Sequence, residues 1–214
     1  MRQRASPPGA VASSNAHPRF VAVARMLPVL APPQALGLRV PTMKDYQVAT
    51  ATMAGRFRYT LERRWGEGPA LLWIMLNPST ADGTKDDPTI RRVVSFTEGF
   101  GHHAATIINL FALRATNPGE LLAADDPIGP LNDKHISEQL IEHPLAVCAW
   151  GAVHPKLQWR IDDIRGFLIG HGAYCLGKTQ AGWPRHPLYL AKNTPLSAWP
   201  LGNLAMRGGR FGDG

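Results

Sequence analysis

The sequence lacks the features that define several classes of protein. No apolar run reaches the ~18 residues that a membrane-spanning helix needs, so we expect no membrane partner and a cytoplasmic location. Two cysteines are present, Cys148 and Cys175, and both lie in apolar runs. Such cysteines are typical of buried thiols. A single pair supports neither a disulfide framework nor a cysteine-based zinc site.

Acidic residues are absent from the first 44 positions. This stretch is rich in Pro, Ala and Arg and has no apolar period, which predicts that residues 1–42 are a disordered extension or a mis-assigned start before Met43. A transit peptide is the alternative, because such peptides are Arg-rich and acid-poor. The Gly-rich residues 201–214 are expected to form a flexible tail.

Most of the net positive charge comes from this N-terminal stretch, because it contains no acidic residue. Five of the 23 Lys and Arg residues lie within residues 1–42, so the remainder has 18 basic and 16 acidic residues and a net charge of +2, against +7 for the whole chain. Charge alone therefore does not predict a general polyanion-binding face.

Between residues 43 and 200 the sequence alternates strand-like and helix-like segments. Continuous apolar runs predict buried strands; they are ALLWIML (70–76), AATIINLFAL (104–113), LAVCAWG (145–151) and AYCLG (173–177). The alternating RFRYTLERRW (56–65) predicts a half-buried strand, and HPLYL (186–190) is a candidate for a further one. Helical patterns lie at 88–99, 117–124, 132–143 and 155–172.

Asp87 is expected to cap the first of these helices, with Pro88 in its first turn. Strands separated by helices favour the α/β class. The pattern predicts a single α/β domain over residues 43–200, a three-layer αβα sandwich with a mainly parallel central sheet.

Polar residues follow the ends of the predicted strands. Because ligands of such sheets bind at the carboxyl ends of the strands, we expect Asn77, Asn109 and His186 to meet in one cleft. Two amides and an imidazole suit an uncharged, planar ligand such as a nucleobase. Aromatic residues in the same regions are candidates for a stacking face; they are Phe111, Trp150 and Trp183.

Four short motifs follow one another along the chain: MLNPS, INLFALRATNP, AVCAWG and RHPLYL. Their order resembles the uracil-DNA glycosylase superfamily. The longer pattern over residues 55–192 resembles a bacterial and phage family known as domain of unknown function 1643. The first resemblance implies a uracil-DNA glycosylase-like fold. It also implies a DNA-repair hydrolase that cleaves the N-glycosidic bond of a base flipped out of DNA.

The resemblance also implies roles for the matching residues. Asn77 would orient the attacking water, Asn109 would pair with the base edge, and His186 would donate a hydrogen bond to the departing base. The expected substrate-binding residues are Pro78, Asn109, Phe111, Arg114, Trp150 and Leu188. Leu188 or Tyr189 would wedge the duplex. We expect no cofactor and no metal.

Two other functions fit the sequence. Met75 stands where the superfamily has a glycine, which is compatible with a non-catalytic module that binds a nucleobase or nucleotide. A metal-dependent phosphoesterase is the second alternative, built on Asp82, Asp86 and Asp87 with His102 and His103. Against it, Asp87 suits a helix cap and Asp82 suits a turn. The expected partner is a nucleobase, a nucleotide or DNA, and no oligomeric state is predicted.

Overall fold

The structure, a computed structural model, describes residues 39–200. The predicted tail from residue 201, and the predicted extension up to residue 38, lie outside the described residues. The strands are β1 (Val48–Ala54), β2 (Phe57–Arg64), β3 (Leu71–Met75), β4 (Ala104–Asn109), β5 (Leu145–Cys148), β6 (Gly172–Cys175) and β7 (Ser197–Ala198). The helices are α1 (Pro88–Gly99), α2 (Glu120–Ala123), α3 (Asn132–Glu142) and α4 (Trp159–Phe167). Within the described range, no helix is long and apolar enough to cross a bilayer.

All seven strands form one mixed sheet in the order β1-β2-β4-β3-β5-β6-β7. The four strands β4, β3, β5 and β6 are parallel to one another, whereas β1, β2 and β7 pair antiparallel. The α/β class is confirmed, but the prediction of a mainly parallel sheet was wrong. A two-residue loop, Gly55-Arg56, joins β1 to β2, and a connection this short permits only an antiparallel pair.

Helices cover both faces of the sheet. Successive residues of β3 point to opposite sides, and on each side they pack against helices. Leu72 and Ile74 pack in a cluster with Ile136 of α3 and with Ile161 and Ile164 of α4. The intervening residue Trp73 packs in a second cluster, with the residues Ile90, Val93, Val94 and Phe96 of α1. The parallel strands are therefore buried on both faces, which is why they are continuous apolar runs.

Helix α1 begins as the sequence predicts. Asp87 is its N-cap, and the carboxylate Oδ1 accepts the backbone N–H of Ile90 at 2.9 Å. Pro88 follows in the first turn, where its missing N–H has no helical partner to lose. The segment HPLYL was predicted to enter a strand, and this was wrong. Residues Pro187–Tyr189 form a 3₁₀ turn capped by His186.

The loop between β3 and α1 is held by two buried arginines of β2. Arg58 Nη1 donates to the carbonyl oxygen of Ala81 at 2.8 Å. Arg63 Nε donates to Asp86 Oδ1 at 2.8 Å, and its Nη2 donates to the carbonyl oxygen of Asp82. These two arginines are 2% and 0% exposed. The loop is thus fixed to the sheet, and it places Asn77 at one end and Asp87 at the other.

Candidate functional site

A cavity of about 450 Å³ lies at the carboxyl ends of the parallel strands. Its volume falls within the range of ~300–1,000 Å³ that is usual for small-molecule sites. Five segments line it: Met75, Leu76, Asn77 and Ser79 at and after the end of β3; Asn109, Ala115, Thr116 and Pro118 at and after the end of β4; Trp150 to Ala152 after β5; Asp87, Thr89 and Ile90 at the start of α1; and His186, Leu188 and Tyr189. Arg58 of β2 completes the wall.

Five of the eight predicted site residues line this one cavity: Asn77, Asn109, Trp150, His186 and Leu188. The other three are Pro78, Phe111 and Arg114. Phe111 is fully buried and packs edge-on against Trp159, so its ring offers no stacking face to the cavity. Arg114 Nε donates to the carbonyl oxygen of Ser79 at 3.3 Å and so supports the loop that contains Pro78.

Asn77 is anchored by its amide nitrogen. Nδ2 donates to the carbonyl oxygen of Ala115 at 2.8 Å and to that of Pro78 at 3.0 Å. These bonds fix the side chain and leave Oδ1 without a protein partner among the described residues. Asn77 therefore offers the cavity a hydrogen-bond acceptor.

Three side chains around the cavity contain buried donor nitrogens that have no partner within residues 39–200. They are Asn109 Nδ2, Trp150 Nε1 and Arg58 Nε. A buried donor that is left unpaired costs roughly 1–3 kcal/mol. These atoms are enclosed by protein, so they act on an occupant of the cavity through their partial positive charge, which favours hydrogen-bond acceptors.

His186 lies at the rim and is set up as a neutral donor. Its Nδ1 accepts the backbone N–H of Leu188 at 3.3 Å, so the proton of the neutral ring is on Nε2. Burial lowers the pKa of His186 below its ordinary value of 6.5, and the negative charge of Asp87 opposes this only in part. The ring is therefore mostly uncharged at pH 7.

Gly151 makes the approach of His186 to the cavity possible. Gly151 has a φ of +79°, and an added Cβ would lie 3.1 Å from the Cβ of His186. A side chain at this position would therefore be strained and would crowd the histidine. The Trp-Gly pair that ends the AVCAWG motif places an indole in the cavity wall and leaves room for an imidazole beside it.

Comparison with protein families gives a match over residues 58–188, more than half of the chain, to the family described as "Protein of unknown function (DUF1643)". The chain belongs to this family. Among curated proteins and among solved structures, no match was found. The resemblance to the DUF1643 family is therefore confirmed, whereas the resemblance to uracil-DNA glycosylases stays a prediction.

Sequence reasoning did not place Arg58 in the site of this DUF1643 domain. Burial lowers the pKa of Arg58 to about 10, and the charge of Asp87 partly opposes this shift, so the guanidinium stays charged at neutral pH. No signal in the sequence identifies it, because a strand pattern does not say what the end of a long side chain contacts. Asp87 was identified as a helix cap but not as part of the cavity.

The acidic loop of the DUF1643 domain is not arranged as a metal centre. Asp86 is paired with Arg63, Asp87 caps α1, and Asp82 accepts the N–H and the hydroxyl of Thr84 at 2.9 and 2.8 Å. In the part of the chain that the structure describes, no group of three or more His, Cys, Asp or Glu side chains is placed to hold a metal ion.

The two histidines considered with this loop lie elsewhere. His102 and His103 directly precede β4, at the amino ends of the parallel strands, whereas the acidic loop follows the carboxyl end of β3. No observation in the described residues therefore favours the phosphoesterase alternative.

Proposed function

We propose that the cavity binds a single nucleobase and that the protein hydrolyses the N-glycosidic bond between this base and its sugar, as a DNA glycosylase does. The observation that carries the proposal is the convergence of Asn77, Asn109 and His186 on one cavity. These residues come from three distant parts of the chain. At neutral pH they offer uncharged amide and imidazole groups, which match the donors and acceptors along the edge of a base.

Each of these residues has a part in the proposed reaction. Asn109 pairs with the base edge and selects the base. Asn77 Oδ1 accepts a hydrogen bond from the attacking water and positions it. His186 Nε2–H donates to the base as negative charge builds on it, and such a donor typically lowers the barrier by about 3 kcal/mol.

Charge near the rim supports DNA over a free base as the substrate. The described residues 164–200 contain no Asp or Glu, and this segment supplies the His186 side of the cavity. Its exposed cations are Lys178, Arg185 and Lys192, which suit phosphate groups. The small net charge of the whole domain conceals this local excess of positive charge.

Two apolar residues on the same rim suit a base that is flipped out of a duplex. Leu188 is 37% exposed and Tyr189 is 80% exposed, and both line the cavity. Exposed apolar side chains beside a cavity can fill the space that a flipped base leaves in the stack. This agrees with the wedge role expected for them from the sequence.

An abasic-site assay tests the proposal directly. The full chain is incubated with oligonucleotides that contain uracil, hypoxanthine or a mismatch, in single- and double-stranded form, and alkali-labile sites are measured. We expect cleavage at one or more of these bases, and a loss of at least tenfold in rate for Asn109→Ala. The absence of abasic sites from every substrate would contradict the proposal.

A binding module of the same fold is the second candidate. It is favoured by the chemistry of Asn77, because an amide cannot accept the proton of the attacking water. Thermal shift measurements against nucleobases, nucleosides and nucleotides separate the two functions. Stabilisation by one of these ligands, without any release of base from the oligonucleotides, would support binding alone.

A further inference from the structure

Among the described residues that line the cavity, one side chain is acidic. This is Asp87, which lies at the far end of the loop that begins with Asn77. Asp87 is 8% exposed, and the resemblance to the glycosylases gives it no role in the reaction. It reaches the cavity because α1 starts there, with Thr89 and Ile90 also in the wall.

The proposed hydrolysis needs a negative charge that the three converging residues do not supply. When the N-glycosidic bond breaks, positive charge develops on the sugar, and a carboxylate usually stabilises such a transition state. The attacking water must also lose a proton, which neither Asn77 nor Asn109 can accept. The buried Arg58 guanidinium would raise the energy of this transition state, because its positive charge repels that of the sugar.

The carboxylate of Asp87 has acceptor sites that the protein does not use. Its Oδ1 accepts the N–H of Ile90 at 2.9 Å, and its Oδ2 accepts the N–H of Ala81 at the longer distance of 3.3 Å. A carboxylate has about four acceptor sites, so two remain for a water molecule. The two backbone bonds fix the orientation of the carboxylate before substrate arrives, which is a condition for effective electrostatic stabilisation.

Asp87 lines the same cavity as two other ionisable side chains, His186 and Arg58. Its negative charge acts on both His186 and Arg58, in each case raising a pKa that burial lowers. The carboxylate therefore acts on the same small volume as the proposed donor to the leaving base.

We infer that Asp87 is the catalytic carboxylate of this site, an inference that rests on the proposed function. The water oxygen forms a bond to C1′ of the sugar, and the C1′–N bond breaks with its electron pair going to the base. Asp87 balances the positive charge on the sugar and takes the proton that the water loses. The base leaves as an anion that accepts a hydrogen bond from the Nε2–H group of His186. Solvent then protonates the base, and Asp87 returns its proton to solvent.

The substitution Asp87→Asn tests this inference; its one structural loss is the bond from the N–H of Ala81, which the Asn NH2 group cannot accept in place of Oδ2. Asn is as good an N-cap as Asp, so the bond to Ile90 and the start of α1 are kept while the charge is removed. We expect the single-turnover rate on the best cleaved oligonucleotide to fall at least 100-fold. The dissociation constant for the same oligonucleotide should change less than threefold. The matched control is Asp82→Asn, which removes a carboxylate from the same loop outside the cavity and should keep the wild-type rate.

A second variant distinguishes the loss of the carboxylate from a folding defect. Asp87→Ser keeps a capping oxygen and leaves space for a small carboxylate, so sodium formate should restore part of its lost rate and leave the Asp82→Asn rate unchanged. A merely structural role of Asp87 does not predict this rescue.

The outcomes separate the inference from the proposed function. Wild-type cleavage rates in both Asp87 variants would overturn the catalytic role and leave the glycosylase function intact. A slow Asp87→Ser that formate does not restore would also overturn it. A wild-type chain that releases no base from any oligonucleotide would overturn both.

Discussion

Asn77 Nδ2 donates to the carbonyl oxygen of Ala115 at 2.8 Å, and this bond joins the loop after β3 to the loop after β4. The two loops face the same cavity from neighbouring parallel strands. The side chain thus fixes the geometry of the site and also offers Oδ1 to a ligand, so its substitution should change both stability and activity.

The first prediction concerns this pair of loops. Asn77→Ala removes two hydrogen bonds from a half-buried amide, each of which contributes roughly 0.5–1.5 kcal/mol. We expect the free energy of unfolding in urea to fall by about 1–3 kcal/mol, together with the rate of base release. Asn193→Ala is the control, because Asn193 is exposed, and its stability should match that of the wild type within about 0.5 kcal/mol. A fully stable Asn77→Ala would contradict this account.

A second prediction follows from the lowered pKa of His186. Below pH 6.5 the unfolded chain binds a proton at this residue more readily than the folded chain does, so protonation favours unfolding. The free energy of unfolding should therefore fall between pH 7.5 and pH 5, and it should fall less in His186→Asn. Asn at this position keeps an oxygen that can accept the N–H of Leu188.

His154→Asn is the matched control for the pH experiment. His154 is exposed and caps the 3₁₀ turn Pro155–Leu157, with Nδ1 accepting the N–H of Lys156 at 3.2 Å. This variant leaves His186 in place and should show the wild-type decrease. If the wild type and His186→Asn lost the same free energy over this pH range, the effect would not come from His186.

A third prediction concerns the cationic rim. Replacing Lys178 and Arg185 with Gln should weaken binding to duplex DNA, and the slope of log K against log salt should become shallower by up to ~2. The affinity for a free nucleoside should stay the same, because neither residue lines the cavity. Lys44→Gln is the control, since Lys44 is exposed and precedes β1 at the opposite edge of the sheet. An unchanged salt slope in the double variant would show that DNA does not contact this rim.

The fourth prediction concerns the buried pair of Arg63 and Asp86, whose side chains are 0% and 5% exposed. Asp86→Ala leaves a buried guanidinium without its carboxylate, which typically costs about 3–5 kcal/mol. We expect this loss in urea unfolding, with faster proteolysis of the loop that the pair holds. Asp82→Ala, at a half-buried carboxylate of the same loop that accepts bonds from Thr84 and not from a buried cation, should cost much less. Equal stabilities of the two variants would refute the structural role of the pair.

The parallel strands could be predicted from the sequence because burial on both faces demands continuous apolar residues, as in LLWIM of β3 and LAVC of β5. The edge strand β1 was missed because it is largely exposed, and its place depends on pairing with β2. The meeting of Asn77, Asn109 and His186 followed from one topological rule about strand ends.

The remainder of the cavity could not be derived in this way. Arg58 reaches the cavity from an antiparallel strand outside the predicted parallel core. Asp87 reaches the cavity because of the length and course of the preceding loop, and the sequence pattern does not give the course of a loop in space.

The cavity is assembled from residues between positions 58 and 189. Its rim depends on a small contact between α1 and the 3₁₀ turn Pro187–Tyr189. Arg92 of α1 donates from Nε to the carbonyl oxygen of Pro187 at 3.3 Å and from Nη2 to that of Leu190. These two hydrogen bonds hold His186, Leu188 and Tyr189 against the rest of the cavity wall. A local opening of these two bonds would remove the hydrogen-bond donor and the wedge together while the sheet stayed intact, so the competence of the site can be lost well below the melting temperature.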